Sequence, residues 1–168
     1  MIESTQRWLG LDPGLAKLGW AVLDPPSDKS KSLPFLVEYG TIATAKSHST
    51  AQRLVELEQD LIALFEEFQP TRVAVEMPFF GRQIKAAGVV LQAVGIINLV
   101  CCREAKITPI FLHQSSWKAH LVNGRADKSE VAITIQNLFE LEQLPNDDAV
   151  DAIAIGYAGF CGLVNNID

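Results

Sequence analysis

The spacing of apolar residues changes along the chain, and this change restricts the fold more than any other feature. Three short apolar runs come first, over Arg7–Leu11, Leu18–Leu23 and Pro34–Ala43. An Asp-Pro-Gly turn signal at residues 12–14 follows the first run, and a polar stretch over residues 24–34 separates the second run from the third. Short apolar runs with such separators predict three strands that pair in an antiparallel manner.

The rest of the chain alternates helical and strand patterns. Apolar residues recur at helical spacing over Thr50–Phe68, which Ser49 or Thr50 can cap, and Arg72–Glu76 is a β-branched run typical of a fourth strand. A fifth strand is predicted over Ile107–Leu112, and further helices over Gln83–Cys102, over Asp127–Leu144 and from Asn146 or Asp147 to about Val164. This order predicts one α/β domain over residues 1–168, with a five-stranded mixed sheet and helices on both faces.

The composition is that of a globular protein that works inside a cell. Hydrophobic residues make up 48% of the 168 residues, which is enough for a core in a single domain. The three cysteines lack C-x-x-C spacing, so we expect reduced thiols. The first residues are polar, and polar residues interrupt the longest apolar stretches. We therefore expect no signal peptide, no membrane span and a cytoplasmic location.

The helix predicted over Gln83–Cys102 is apolar on nearly every side. A helix of this kind is buried on more than one face. It could lie deep in the core, or it could be shared between the core and a subunit contact. The three tryptophans, Trp8, Trp20 and Trp117, are interpreted as packing residues.

Four acidic residues fall at the ends of the predicted elements. Asp12 ends the first strand and Glu76 ends the fourth, whereas Asp148 and Asp151 lie three residues apart at the start of the last helix. Residues at that spacing share one face of a helix. If the first and fourth strands are neighbours, their ends bring Asp12 and Glu76 side by side, at the kind of sheet edge where ligands bind.

Crowded carboxylates repel one another and raise each other's pKa, so a compensating charge is expected. Hard divalent cations with oxygen ligands are the natural candidates. Two such ions suit phosphodiester hydrolysis, because one activates a water and the other stabilises the leaving 3′ oxygen. The alternative is that these acids only form a turn and a helix start. The apolar neighbours of Glu76 and Asp151 argue against it, because an unpaired acid in apolar surroundings is costly.

Four blocks of the sequence resemble the signature blocks of the RuvC-type Holliday junction resolvases of the RNase H-like superfamily. They are LGLDPG at residues 9–14, VAVE at 73–76, NGRADK at 123–128 and DAVDAIAI at 148–155. The resemblance spans almost the whole chain. It implies an RNase H-like fold and a crossover junction endodeoxyribonuclease of recombination and repair. Such an enzyme is a homodimer that cuts four-way DNA junctions by paired symmetric nicks, with Mg²⁺ or Mn²⁺ and two ions per active site.

The same resemblance implies roles for individual residues. The implied metal ligands are Asp12, Glu76, Asp148 and Asp151. Lys118 and Lys128 look like the two functional lysines of the family, which would contact the region of the scissile phosphate. Phe79 matches an aromatic residue that meets DNA bases near the junction. The helix over residues 83–102 matches the family's dimer helix, and a branch-migration helicase is a candidate partner.

The overall charge of −6 and the pI near 5.0 argue against a nucleic-acid partner, because such proteins usually carry a basic face. The distribution of charge along the chain favours a nucleic-acid partner, since the segment from Phe80 to Glu130 contains seven basic residues and only three acidic residues. Phosphate binding needs a local basic stripe, which this segment could supply. The DNA contacts expected from it are Arg82, Lys85, Lys118, Arg125 and Lys128.

Other functions remain open on the sequence. An RNase H-like nuclease that cuts RNA–DNA hybrids or structured RNA would use the same four acids, but it could act as a monomer. A catalytically weak junction-binding protein would keep the acids without turnover. A sugar kinase or actin-like nucleotide binder shares the Asp-x-Gly turn, but it needs a second domain for which 168 residues leave no room.

Overall fold

A five-stranded sheet forms the centre of the computed structural model, which describes residues 6–28, 30, 32–78 and 84–163. The strands are β1 (Trp8–Asp12), β2 (Lys17–Asp24), β3 (Phe35–Ala43), β4 (Arg72–Glu76) and β5 (Ile110–Leu112). They lie in the order β3-β2-β1-β4-β5. The first three strands pair antiparallel, whereas β4 and β5 run parallel to β1. The mixed sheet predicted from the sequence is confirmed.

The neighbouring positions of β1 and β4 matter most for the site. Leu11 of β1 pairs with Val75 of β4 in parallel register. The next residue in each strand is an acid, Asp12 in β1 and Glu76 in β4. Because parallel strands end at the same edge of a sheet, Asp12 and Glu76 lie side by side at that edge.

Five α-helices cover the two faces of the sheet in the described part of the chain. They are α1 (Thr50–Phe68), α2 (Ile84–Val100), α3 (Gln114–Leu121), α4 (Lys128–Leu138) and α5 (Asp147–Phe160), and a π-helical segment, Cys101–Ala105, continues α2. The core on one face joins the sheet to α1 and α2. The core on the other face joins it to α3, α4 and α5. Alternate residues of β4 serve the two cores, with Val73 and Val75 in the first and Ala74 in the second.

Several element boundaries differ from the prediction. The short helix α3 was missed because its single fully buried residue is Trp117, so no apolar period marks it. The helix predicted over Asp127–Leu144 ends at Leu138, since Glu140 adopts a left-handed backbone with φ 52°. Strand β5 begins at Ile110 and is three residues long. The caps of α1 and α5 are as predicted, with Ser49 and Asn146 each accepting a backbone hydrogen bond.

Two glycines let α5 pack directly against the backbone of the sheet. A Cβ atom on Gly10 of β1 would overlap the carbonyl oxygen of Ala152, and one on Gly19 of β2 would overlap that of Asp148. Any side chain at these positions would push the helix away from the sheet. The first turns of α5 are therefore held over the ends of β1 and β2.

The outer face of α2 is apolar and exposed. Ala93, Ile97 and Val100 are buried in the core, whereas Leu91 and Leu99 are 42% and 48% exposed. Only one face of α2 therefore packs in the core of the chain, and the subunit contact expected for the other face stays a prediction. The segment Gly88–Ala105 is long and apolar enough to cross a membrane by length and composition alone, which the interrupted sequence pattern did not predict.

Candidate metal centre and nucleic-acid surface

The four acids proposed as metal ligands come from three elements that meet at one edge of the sheet. Asp12 ends β1, Glu76 ends β4, and Asp148 and Asp151 belong to the first turns of α5. All four residues are half-buried. The charges of the other three acids act on Asp12, so the structure brings these three side chains within electrostatic reach of Asp12.

Burial and repulsion raise the pKa of three of these carboxyl groups. Desolvation, and then the charges of Glu76, Asp151 and Asp148, raise the pKa of Asp12 to about 8. Burial is also the main cause that raises the pKa of Glu76 and that of Asp151, each to about 6. A carboxyl group whose pKa lies near or above neutrality lacks enough nearby positive charge to stabilise its ionised form. The cluster is therefore suited to gain a cation.

Basic side chains supply part of that charge. Lys17, at the start of β2, places its Nζ atom 3.0 Å from Oδ2 of Asp148. Lys128, at the start of α4, pairs with Asp147 at 3.1 Å, and its charge lowers the pKa of both Asp12 and Asp151. Lys17 and Asp147 were not predicted as part of the site. The sequence did offer a signal for Lys17. It is a basic residue five positions after Asp12, where the hairpin returns the chain to the same edge of the sheet.

Glu76 is held by a hydrogen bond from the neighbouring helix. The indole Nε1 of Trp117 donates to Oε2 of Glu76 at 2.8 Å, and this bond opposes the rise in the pKa of Glu76. Trp117 was interpreted only as a packing residue. It does pack in the core, but it also reaches a proposed ligand.

The donor set fits a hard divalent cation better than any other metal. All four candidate ligands offer carboxylate oxygens, whereas softer metals select thiolate or imidazole. Among the described residues, no group of three or more acids, histidines or cysteines is arranged so that it could hold an ion as the side chains stand. Asp148 is engaged by Lys17 and Glu76 by Trp117. These contacts engage one oxygen of each carboxylate, Oδ2 of Asp148 and Oε2 of Glu76.

The predicted DNA contacts fall into two groups. Lys118 and Lys128 act electrostatically on Asp151, which places both near the acids, and Lys118 donates to the carbonyl oxygen of Ala126 at 2.9 Å. Arg125 is exposed in the loop between α3 and α4. Phe79, Arg82 and the side chain of Lys85 lie outside the described part of the structure. The contacts predicted for these three residues therefore stay predictions.

The sequence matches the family described as "Crossover junction endodeoxyribonuclease RuvC" over residues 8–158. A protein of that name from Synechocystis sp. is 61% identical over 165 residues, which cover 98% of this chain and 97% of the relative. One from Finegoldia magna is 35% identical, with 93% of each chain covered.

Solved structures agree with these matches. The Thermus thermophilus RuvC structure is similar with a TM-score of 0.79 and 27% identity, covering 93% of this chain and 95% of that one. T. thermophilus RuvC in complex with a Holliday junction substrate gives the same TM-score at 26% identity, with 94% of each chain covered. The yeast mitochondrial resolvase Ydc2, at 17% identity and a TM-score of 0.64, shares the fold.

The raised pKa of Asp12 makes the stability of the metal-free protein depend on pH. The folded state keeps a proton on Asp12 up to about pH 8, whereas the unfolded chain loses it near pH 4. The free energy of unfolding should therefore fall as the pH rises through that window. Asp12→Asn removes this titration, so the variant should gain stability relative to the wild type between pH 5 and pH 8.

Denaturant unfolding in the presence of a chelator at pH 5, 6.5 and 8 measures this difference. Asp60→Asn changes an exposed acid of α1 in the same chemical way and should follow the wild type at each pH. Equal pH dependence in Asp12→Asn and the wild type would show that Asp12 is not buried beside other acids.

Proposed function

Because the chain belongs to the RuvC family of crossover junction endodeoxyribonucleases, we propose that it cuts four-way DNA junctions in recombination and repair. The observation that carries this proposal is the meeting of Asp12, Glu76 and the acids of α5 at one edge of an RNase H-like sheet. Support for the substrate comes from the Thermus thermophilus relative of the same fold, which was solved with a Holliday junction.

The family consists of metal-dependent nucleases, and we propose Mg²⁺ or Mn²⁺, with two ions per active site. Asp12, Glu76, Asp148 and Asp151 would hold them through carboxylate oxygens, which are the ligands that these cations prefer. When bound, the ions supply an activated water and stabilise the leaving oxygen of the phosphodiester. Their charge would offset the burial and repulsion that raise the pKa of Asp12, Glu76 and Asp151.

Lys118 and Lys128 are proposed to hold the DNA backbone beside the acids. Both lysines act electrostatically on Asp151, so a phosphate bound by them would lie near the carboxylates. Lys128 pairs with the exposed Asp147, a surface ion pair that a phosphate can replace at little cost. Arg125 lies in the loop between these lysines and would extend the basic surface. Phe79, Arg82 and Lys85 complete the proposed DNA contacts.

We also propose a homodimer that forms through α2. Paired symmetric nicks need two active sites, whereas one chain carries one cluster of these acids. The exposed apolar side chains of α2, among them Leu91 and Leu99, offer a surface that a second copy would cover. We propose that this face contacts a second copy rather than lipid, because the relatives named above are endodeoxyribonucleases, and we propose a cytoplasmic location. A branch-migration helicase remains a candidate partner.

The alternative functions have less support. Cleavage of RNA–DNA hybrids would use the same four acids, but the relatives named above are crossover junction endodeoxyribonucleases. The weak junction-binding alternative would have to explain why all four acids are present and why three of them have a raised pKa.

Glu76→Gln should abolish cleavage of a synthetic four-way junction while leaving junction binding intact. The amide is a poor ligand for a divalent cation, so the rate should fall by more than about 100-fold, or about 2.7 kcal/mol at 1.36 kcal/mol per tenfold. Binding in chelator should be equal or tighter, because a negative charge that repels phosphate is removed. Gel assays of cleavage with Mg²⁺ and of binding without it measure both effects.

The matched control is Glu66→Gln, the same change at an exposed position of α1, which should leave cleavage unaltered. Cleavage by Glu76→Gln at the wild-type rate would refute the assignment of Glu76.

Leu99→Glu should convert the protein to monomers, because it places a charge on the apolar face of α2. Sedimentation velocity measures the oligomeric state directly. Ile133→Glu is the control, since Ile133 is 53% exposed on α4, and it should leave the dimer intact. A wild-type protein that sediments as a monomer, or a Leu99→Glu variant that stays dimeric, would contradict the proposed interface.

A further inference from the structure

Trp117 connects the helix that carries Lys118 with the end of β4. Its side chain is fully buried, and its Nε1 atom lies 2.8 Å from Oε2 of Glu76. The two residues are 41 positions apart in the sequence. The contact is therefore tertiary, and it joins α3 to the strand end where the acids meet.

The packing of Trp117 makes this hydrogen bond directional. The indole lies in the core formed with Leu112, Val131 and Ile153, which are all fully buried. An indole ring has a single N–H donor, so a ring fixed by packing aims that donor at one point. The carboxylate of Glu76 has no such restraint of its own, because its terminal torsion rotates in a broad well.

The hydrogen bond from Trp117 engages one of the two carboxylate oxygens of Glu76 and leaves the other one available. Oε2 of Glu76 accepts from Trp117, whereas Oε1 accepts no hydrogen bond from any residue that the structure describes. A carboxylate held in this way presents one oxygen to an ion in a fixed direction. Partners that orient a ligand in this manner typically contribute about 10–100-fold to metal affinity or activity.

We propose that Trp117 is a positioning residue, whose Nε1–H orients the carboxylate of Glu76 so that Oε1 binds the divalent cation. This inference rests on the proposed function, in which Glu76 is a metal ligand. A purely structural role is the competing interpretation, in which Trp117 fills the core and Glu76 merely satisfies its N–H.

The first experiment measures Mn²⁺ affinity in Trp117→Phe by the loss of the free-ion signal in electron paramagnetic resonance. Phenylalanine keeps most of the buried ring but removes the donor, so the affinity should fall about 10-fold. Trp8→Phe is the matched control, because Trp8 is buried in the same core, and its affinity should equal that of the wild type. An unchanged affinity in Trp117→Phe would overturn the proposal.

Combining Trp117→Phe with Glu76→Gln separates positioning from structure. If Trp117 acts through the carboxylate, it should have no further effect once the carboxylate is gone. A structural role would weaken Mn²⁺ binding equally in both backgrounds and would overturn the proposal. If Glu76→Gln alone leaves Mn²⁺ affinity unchanged, then the proposed function fails in its assignment of Glu76, and the inference falls with it.

A measurement without substitution of Trp117 keeps the test decisive if the variant does not fold. The three tryptophans should give three indole N–H signals in a ¹⁵N correlation spectrum, and Trp8→Phe and Trp20→Phe assign them. Addition of Mg²⁺ should shift the signal of Trp117 and leave that of Trp8 in place, and the shift should vanish in Glu76→Gln. If the indole N–H signal of Trp117 does not shift on addition of Mg²⁺ to the wild type, the positioning role is refuted.

Discussion

The close approach of α5 to the sheet is the constraint on which the site depends. Gly10 and Gly19 leave no side chain between the strands and the helix, so the backbone of α5 at Asp148 and Ala152 lies directly on β1 and β2. This contact brings Asp148 and Asp151 to the edge where Asp12 and Glu76 end their strands. A side chain at either glycine would separate the two halves of the acid cluster, because the helix would have to move outward.

The acid cluster is electrostatically unfavourable in the metal-free protein. Burial opposes the charged form of three carboxyl groups, and their mutual repulsion adds to this effect. Lys17 and Lys128 offset part of the charge from two sides. An overall charge of −6 is compatible with DNA binding, because phosphate contacts need only a local basic surface. We propose that Lys118 and Lys128 supply that surface beside the acids. This arrangement lowers the stability of the metal-free state, and we expect a bound cation to offset that loss.

The sequence predicted those parts of the fold and site that follow from local pattern. Strand ends and helix caps follow from local sequence, so the mixed sheet and the first turn of α5 could be predicted. The pairing of β1 with β4 was only a condition of the prediction, and the structure supplies it. The roles of the four acids as ligands stay predictions, although the structure gathers the acids at one edge. The second face of α2, which was expected to be buried, is apolar but exposed in the single chain. Its burial against a second subunit stays a prediction.

The features that were missed depend on tertiary contacts. Helix α3 has no apolar period, because one large residue, Trp117, supplies its fully buried surface. The hydrogen bond from Trp117 to Glu76 and the ion pair from Lys17 to Asp148 join residues that are 41 and 131 positions apart. No local pattern encodes a partner at such a distance, so these contacts became visible only in the folded chain.

We infer that the four carboxylates on β1, β4 and α5 form one site for divalent cations. The most direct test is a crystal of the protein grown with Mn²⁺ and measured near the manganese absorption edge. We expect anomalous density between Asp12, Glu76, Asp148 and Asp151. Density elsewhere on the protein, or none at this edge at a saturating Mn²⁺ concentration, would contradict it.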